Sequence, residues 1–250
     1  MIISNNTNTS ISYESKTEKT TKSNITFEQE LKERFSKSRI ITYHEEKGRF
    51  DEMSEENAKA IKYILEDDKV SMQELTSMPF ERIKLLKSIV FPSDLTKDEF
   101  ADVLITFLEN NRATSMLLAV DKTANDNFNE ALFNTLGEIL DDSERMDFMK
   151  ELDLNLTQMF NSQDLEFSFM GAKSILIFLE VEKEKTDIDY SNFFDKMISK
   201  TKFGLSTPFL NPDIKKNYKV MNNSYTLLKD FYEDIKSTNE ITLEDILKKL

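Results

Sequence analysis

The sequence predicts an all-α, multi-helix bundle with a disordered N-terminal tail, and three observations predict it. Only four glycines and four prolines punctuate 250 residues, too few turn-formers for a chain built from many short strands. Apolar residues recur at spacings of three and four in one segment after another, most of them opened by Ser, Thr, Asp or Asn. The stretch 165–181, LEFSFMGAKSILIFLEV, carries five unbroken apolar residues from Ile175 to Leu179. In a helix these face every direction, so the segment is read as a central helix that the others cover. The β-branched Ile175 and Ile177 also fit a short buried strand, but Leu165, Phe169, Ala172, Ile175, Leu176 and Leu179 carry the 3.6 period well beyond the run.

Composition narrows the function classes. A hydrophobic content of 39% with 10% aromatic residues is enough for a sizeable core in one large domain or two smaller ones. The net charge is −13; residues 1–27 carry Lys16, Lys19 and Lys22 against Glu14 and Glu18, leaving a body of −14. Such a body repels phosphate backbones, and no basic face is long enough to offset that, so nucleic acid is not an expected partner. With no cysteine, disulfides, thiolate chemistry and zinc–thiolate sites are excluded, while the redox compartment stays open. No run approaches the roughly 20 apolar residues of a membrane span, and no apolar block marks a cleavable signal, so the expected location is the cytoplasm.

Taken in order, residues 1–25 are rich in Ser, Thr and Asn and offer almost nothing to bury, hence the expected disordered tail. Residues 26–37 read as a first helix, with Thr26 as cap and Phe27, Leu31 and Phe35 on one face. Residues 40–43 form the only strand-like run, beside the only histidine, His44, which is expected to be solvated or capping. Ser54 caps the next helix, with Glu55 and Glu56 in its first turn and Ala58, Ile61 and Leu65 inward. Ser71 and Glu74 have capping-box spacing, and Pro79 opens a helix with Phe80, Ile83, Leu86, Ile89 and Val90 inward, stopped by Pro92.

A second box, Thr96 and Glu99, opens a helix whose Phe100, Val103, Leu104, Phe107 and Leu108 match the amphipathic template, and 113–120 continues after a break. Asp126 is read as the cap of a helix burying Phe128, Leu132, Leu136, Ile139 and Leu140, in which Gly137 serves close packing. Ser143 is read as the next cap, and Thr186 with Asp189 as the start of a helix burying Phe193, Phe194, Met197 and Ile198. Two prolines and a glycine in TKFGLSTPFLNP mark the best boundary, giving a main helical domain over 26–203 and a C-terminal part over 204–250. There Asn211 caps, Pro212 takes the first turn, and Ile214, Tyr218, Met221, Tyr225, Leu228, Tyr232 and Ile235 form a seam to about Lys236, followed by a short helix capped by Thr242. The charges flanking the seam do not complement a partner strand, so it is expected to pack within a monomer. Tyr218, Tyr225 and Tyr232 are the candidate interaction residues.

No reaction chemistry is assembled. A hydrolytic triad would depend on His44 alone, phosphate loops need clustered glycines, and a di-iron bundle needs two Glu-x-x-His pairs. The loop 121–132 has Asp121, Thr123, Asn125 and Asn127 at calcium-ligand positions, but Asp126 replaces the glycine and Leu132 the bidentate glutamate. Asp141, Asp142, Glu144 and Asp147 read as a solvated first turn rather than paired catalytic carboxylates. The expectation is a non-enzyme without metal or cofactor that binds another protein. The plan of a Ser/Thr/Asn-rich leader ahead of an acidic helical body is similar to that of type III secretion gatekeepers and flagellar export-associated proteins. That resemblance implies an uncleaved export signal as the alternative role and carries over no functional residue. If 165–181 is the central helix, Leu176→Ala should cost about 2 to 5 kcal/mol, measured by urea unfolding; a near-neutral result removes that segment from the core.

Overall fold

The computed structural model describes Gln29, Phe35 and residues 38–92, 111–160 and 189–247. Among these residues there are nine α-helices and no strand, an all-α multi-helix bundle. The tail 1–25, most of the helix expected at 26–37, the helix opened by Thr96 and the central run 165–181 lie outside the described residues.

Helix α1, Arg39–Glu46, replaces the strand-like reading of 40–43. Ser38 decides it: its hydroxyl accepts the Ile41 N–H at 3.1 Å and contacts Asp68 Oδ1 at 2.7 Å, and Asp68 also accepts the Ile40 N–H at 3.0 Å. Two satisfied N-terminal donors outweigh the β preference of Ile40, Ile41 and Thr42. Burial works against the Asp68 carboxylate, but the hydrogen bonds from Ile40, Ser38 and Arg39 hold it below its ordinary value. Asp68 itself sits at φ 61°, a conformation its short polar side chain tolerates.

Local signals place the next elements where expected. Helix α2, Glu55–Ile64, is capped by Ser54, and α3, Met72–Ser77, carries the complete Ser71/Glu74 box. Helix α4, Phe80–Val90, starts after Pro79 and stops before Pro92. Helix α5 covers Asn111–Ala119. Helix α6, Asp126–Glu138, is capped by Asn125, one residue before the expected Asp126, because the Asn125 amide oxygen accepts the Phe128 N–H at 2.9 Å. Helix α7, Asp142–Phe160, is capped by Asp141 rather than Ser143: Asp141 Oδ1 accepts from Glu144 N at 2.9 Å and leaves Ser143 inside the first turn. Helix α8, Tyr190–Ser206, has the expected Asp189 cap.

Helix α9 runs unbroken over Pro212–Leu247, so the separate final helix is not formed. No glycine or proline interrupts 236–241. The Ser237 and Thr238 hydroxyls donate back to Asp234 O at 2.8 and 2.9 Å, and Lys236 faces Glu240 at 3.9 Å, so the polar stretch stays helical. Helix α8 likewise runs across position 204, and the break in secondary structure falls at 207–211.

The core sits where α9 lies against α6 and α8, with α7 completing the group and α5 bridging α6 and α7. Of the α9 seam, Met221, Tyr225, Leu228 and Tyr232 are buried against the chain's own helices, while Ile214 at its start is exposed. One close approach fixes the α8/α9 angle. A Cβ placed on Gly204 would stand 2.4 Å from the Tyr218 ring. Glycine to alanine inside a helix ordinarily stabilises by about 1 kcal/mol; here the sign should reverse, and Gly204→Ala should lower the thermal midpoint. An unchanged or raised midpoint would mean the two helices pack more loosely than this.

Candidate functional site

Of the three tyrosines read as interaction residues, two belong to the interior. Tyr225 is fully buried and Tyr232 nearly so, while Tyr218 is half-buried over Gly204. Tyr225 and Tyr232 are taken up by contacts between helices, and Tyr218 keeps part of its ring accessible. Tyr225 meets Phe148 edge-on at 5.2 Å and Phe193 at 6.1 Å; Tyr232 meets Tyr190 at 5.6 Å and Phe194 at 5.4 Å. His44 is also buried rather than solvated. Arg49 Nη1 donates to its Nδ1 at 2.8 Å, and since a guanidinium only donates, the ring is the neutral Nε2–H tautomer. Tyr43 packs edge-on against it at 5.0 Å.

The loop 121–132 is closed by its own side chains. Asn129 Oδ1 accepts from the Thr123 N–H at 2.8 Å, and Asn129 Nδ2 donates to Thr123 O at 2.9 Å. Asp121 pairs with Lys87, and Asp126 with Lys84 at 2.9 Å. The acids at 141–147 are likewise dispersed: Asp141 caps, Asp142 pairs with Arg145, Glu144 lies 3.5 Å from Lys216, and Asp147 lies 4.0 Å from Lys150. They converge on no common point.

Two groupings were not legible from spacing. The first is an interior polar layer. Lys122 Nζ lies 2.5 Å from Asp153 Oδ1 with both side chains buried, and burial pushes the Asp153 carboxyl above its ordinary range against the pull of Lys122. Nearby, Asn155 Nδ2 donates to Glu151 O at 2.7 Å and reaches the Tyr225 hydroxyl at 3.4 Å. Burial, then the Glu151 and Asp153 charges, push the Tyr225 phenol upward, so it stays neutral. Arg145, fully buried, donates to Ile139 O at 2.7 Å and to Ser115 at 3.3 Å, tying the end of α6 to α5 and α7. The Lys122–Asp153 pair ties the turn after α5 to α7 and the Asn155–Tyr225 contact links α7 to α9, while Glu151 Oε2 and Asn155 Oδ1 are buried without a hydrogen-bond partner among the described residues.

The second grouping is an open cleft of about 380 Å³ between α3, α4, α5, α6 and α9. Its floor is Met78, Phe80, Ile83, Met116, Phe133 and Phe231, with Phe80 and Phe133 edge-on at 5.9 Å. Gly137 lets Met116 lie close, since a Cβ there would stand 3.3 Å from the methionine methyl, which is the packing role expected for that glycine. Glu130 and Glu138 stand on its lining. Neither makes an ion pair among the described residues. Burial, then the charges of Glu81 and Asp126, push the Glu130 carboxyl above its ordinary value, with Lys84 opposing. An apolar floor under unpaired carboxylates favours a ligand that is apolar in the middle and cationic at its edge. Among the described residues no three His, Cys, Asp or Glu side chains are grouped to hold a metal ion, and no helix is long and apolar enough to cross a membrane.

Comparison of the chain with protein-family models, with curated proteins and with solved structures finds no match.

The polar layer makes its own prediction. Lys122→Met strands a buried carboxylate and should destabilise by about 3 to 5 kcal/mol, whereas adding Asp153→Leu should recover most of the loss. A denaturation series in which the double variant is no better than the single one would assign Asp153 to something other than this pair.

Proposed function

We propose that the protein is a non-catalytic helical interaction module whose cleft between α3, α4, α5, α6 and α9 receives a basic, apolar segment of another protein. The observation that carries the reading is the pairing of a methionine- and phenylalanine-rich floor with Glu130 and Glu138 beside it. Thioether and aromatic side chains adapt to varied apolar shapes, and the carboxylates select the sign of the charge at the edge. An export-related role of the leader at 1–25 is compatible with this reading and independent of the cleft.

The raised Glu130 pKa gives the test its sign. Folding raises this pKa, so the contribution of Glu130 to stability is present at low pH and is lost as pH rises through the folded value. A cationic segment favours the charged carboxylate and reverses that penalty. Affinity for a fluorescein-labelled amphipathic peptide with lysines flanking phenylalanines should therefore rise as pH rises through the Glu130 pKa. Glu130→Gln should flatten the rise, and Glu138→Lys should weaken binding about tenfold, the effect of roughly 1.4 kcal/mol. Fluorescence anisotropy showing equal affinity for a glutamate-flanked peptide would reject the reading.

A further inference from the structure

The turn between α8 and α9 has the opposite character from the cleft. Phe209 at its apex is fully exposed, Phe203 is 77% exposed in the last turn of α8, and Ile214 is 37% exposed in the first turn of α9. Residues 195–219 carry six lysines against two aspartates in a chain whose net charge is −13. Lys202, Lys215 and Lys219 are exposed and make no ion pair among the described residues. The shape is held from both sides. Ser206 and Thr207 hydroxyls donate to Phe203 O at 2.8 and 3.2 Å, and Asn211 Oδ1 accepts from Asp213 N at 2.8 Å. Phe209 sits at φ 62°, where a bulky side chain is strained, with its ring outside the core.

A pre-shaped aromatic knob with a lysine collar complements an apolar cleft edged by carboxylates, and this chain contains both. We infer that the α8–α9 turn docks into the cleft of a second copy of the same chain. It cannot reach its own cleft: Phe231 lies 19 residues along α9 from Pro212, a span of about 28 Å at the helical rise. The contact is head-to-tail, and unless the rotation closes a ring it adds copies in an open series. The lysines also suit an anionic membrane surface, but the acidic body opposes approach to one, whereas the cleft supplies both the apolar floor and the matching charge. This inference rests on the cleft reading above and names the occupant.

Sedimentation velocity over a concentration series tests it. The full chain should show an average mass that rises with concentration and falls back in high salt. Phe209→Gly keeps the backbone conformation at ease and leaves the cleft intact; Glu138→Lys with Phe231→Ser leaves the turn intact. Each variant alone should remain monomeric with a native circular-dichroism melt, and an equimolar mixture should form a complex of two chains and nothing larger. A wild-type chain that stays monomeric at every concentration, or a mixture that does not associate, overturns the inference. Cosedimentation of monomeric wild type with phosphatidylserine vesicles, lost in Phe209→Gly, overturns it in favour of a lipid surface. If the labelled basic peptide binds while the protein stays monomeric, only the second copy is wrong; if neither binds, the cleft reading falls too.

Discussion

One aromatic network holds the described helices in register. Phe128 from α6 lies 4.6 Å from Tyr190 and stacks on Phe194 at 6.1 Å, both from α8; Tyr232 from α9 packs on the same two rings; Tyr225 joins Phe193 to Phe148 of α7. Each such pair adds about 0.5 to 1.5 kcal/mol beyond the area it buries, and here the pairs share rings, so losing one ring loosens several contacts. Tyr225 and Tyr232 of α9 bring hydroxyls into the interior with them. For Tyr225 the partner is Asn155 Nδ2 at 3.4 Å, so its hydroxyl is not left unsatisfied in the interior.

Legibility in the sequence followed the range of the deciding interaction. Ser54, Ser71 with Glu74, Asp189 and Asn211 cap their helices through contacts within three residues, and spacing alone located them. The cap at Ser38 was hidden because half of its network comes from Asp68, 30 residues away, while Ile40 to Thr42 advertised a strand. His44 looked solvated because its neighbours are charged, yet Arg49 folds back over it and the ring turns inward. In the α9 seam, periodicity gives the face and not the depth of burial: Met221, Tyr225, Leu228 and Tyr232 are buried, Tyr218 is half-buried and Ile214 is exposed. The cleft was not legible at all. Its lining spans Thr76 to Phe231 across five helices, and no local pattern brings Met116 to Phe133 or to Phe231.

Charge is distributed by use rather than evenly. Ion pairs such as Lys84 with Asp126, Lys62 with Glu45 and Lys229 with Asp195 cross between elements on the surface, where each is worth at most about 1 kcal/mol. Lys122 with Asp153 is different, because burial makes its worth conditional on both partners being present. Glu130 is different again: it is partly buried beside other acids, so its charge costs the free protein stability and is relieved only by something cationic that the described residues do not supply in full.

The same reasoning bears on Phe209. Positive φ is cheap for glycine and tolerable for Asp68, whose carboxylate is repaid by Ser38 and Ile40. Phe209 has no such return among the described residues: its ring is fully exposed, and the turn is already secured by the caps at Thr207 and Asn211. Glycine there would relieve the backbone, remove an exposed aromatic side chain and leave both caps in place. A residue that costs the free fold on two counts fits a contact formed outside it, and among the described residues the acidic cleft offers a surface of matching shape and charge.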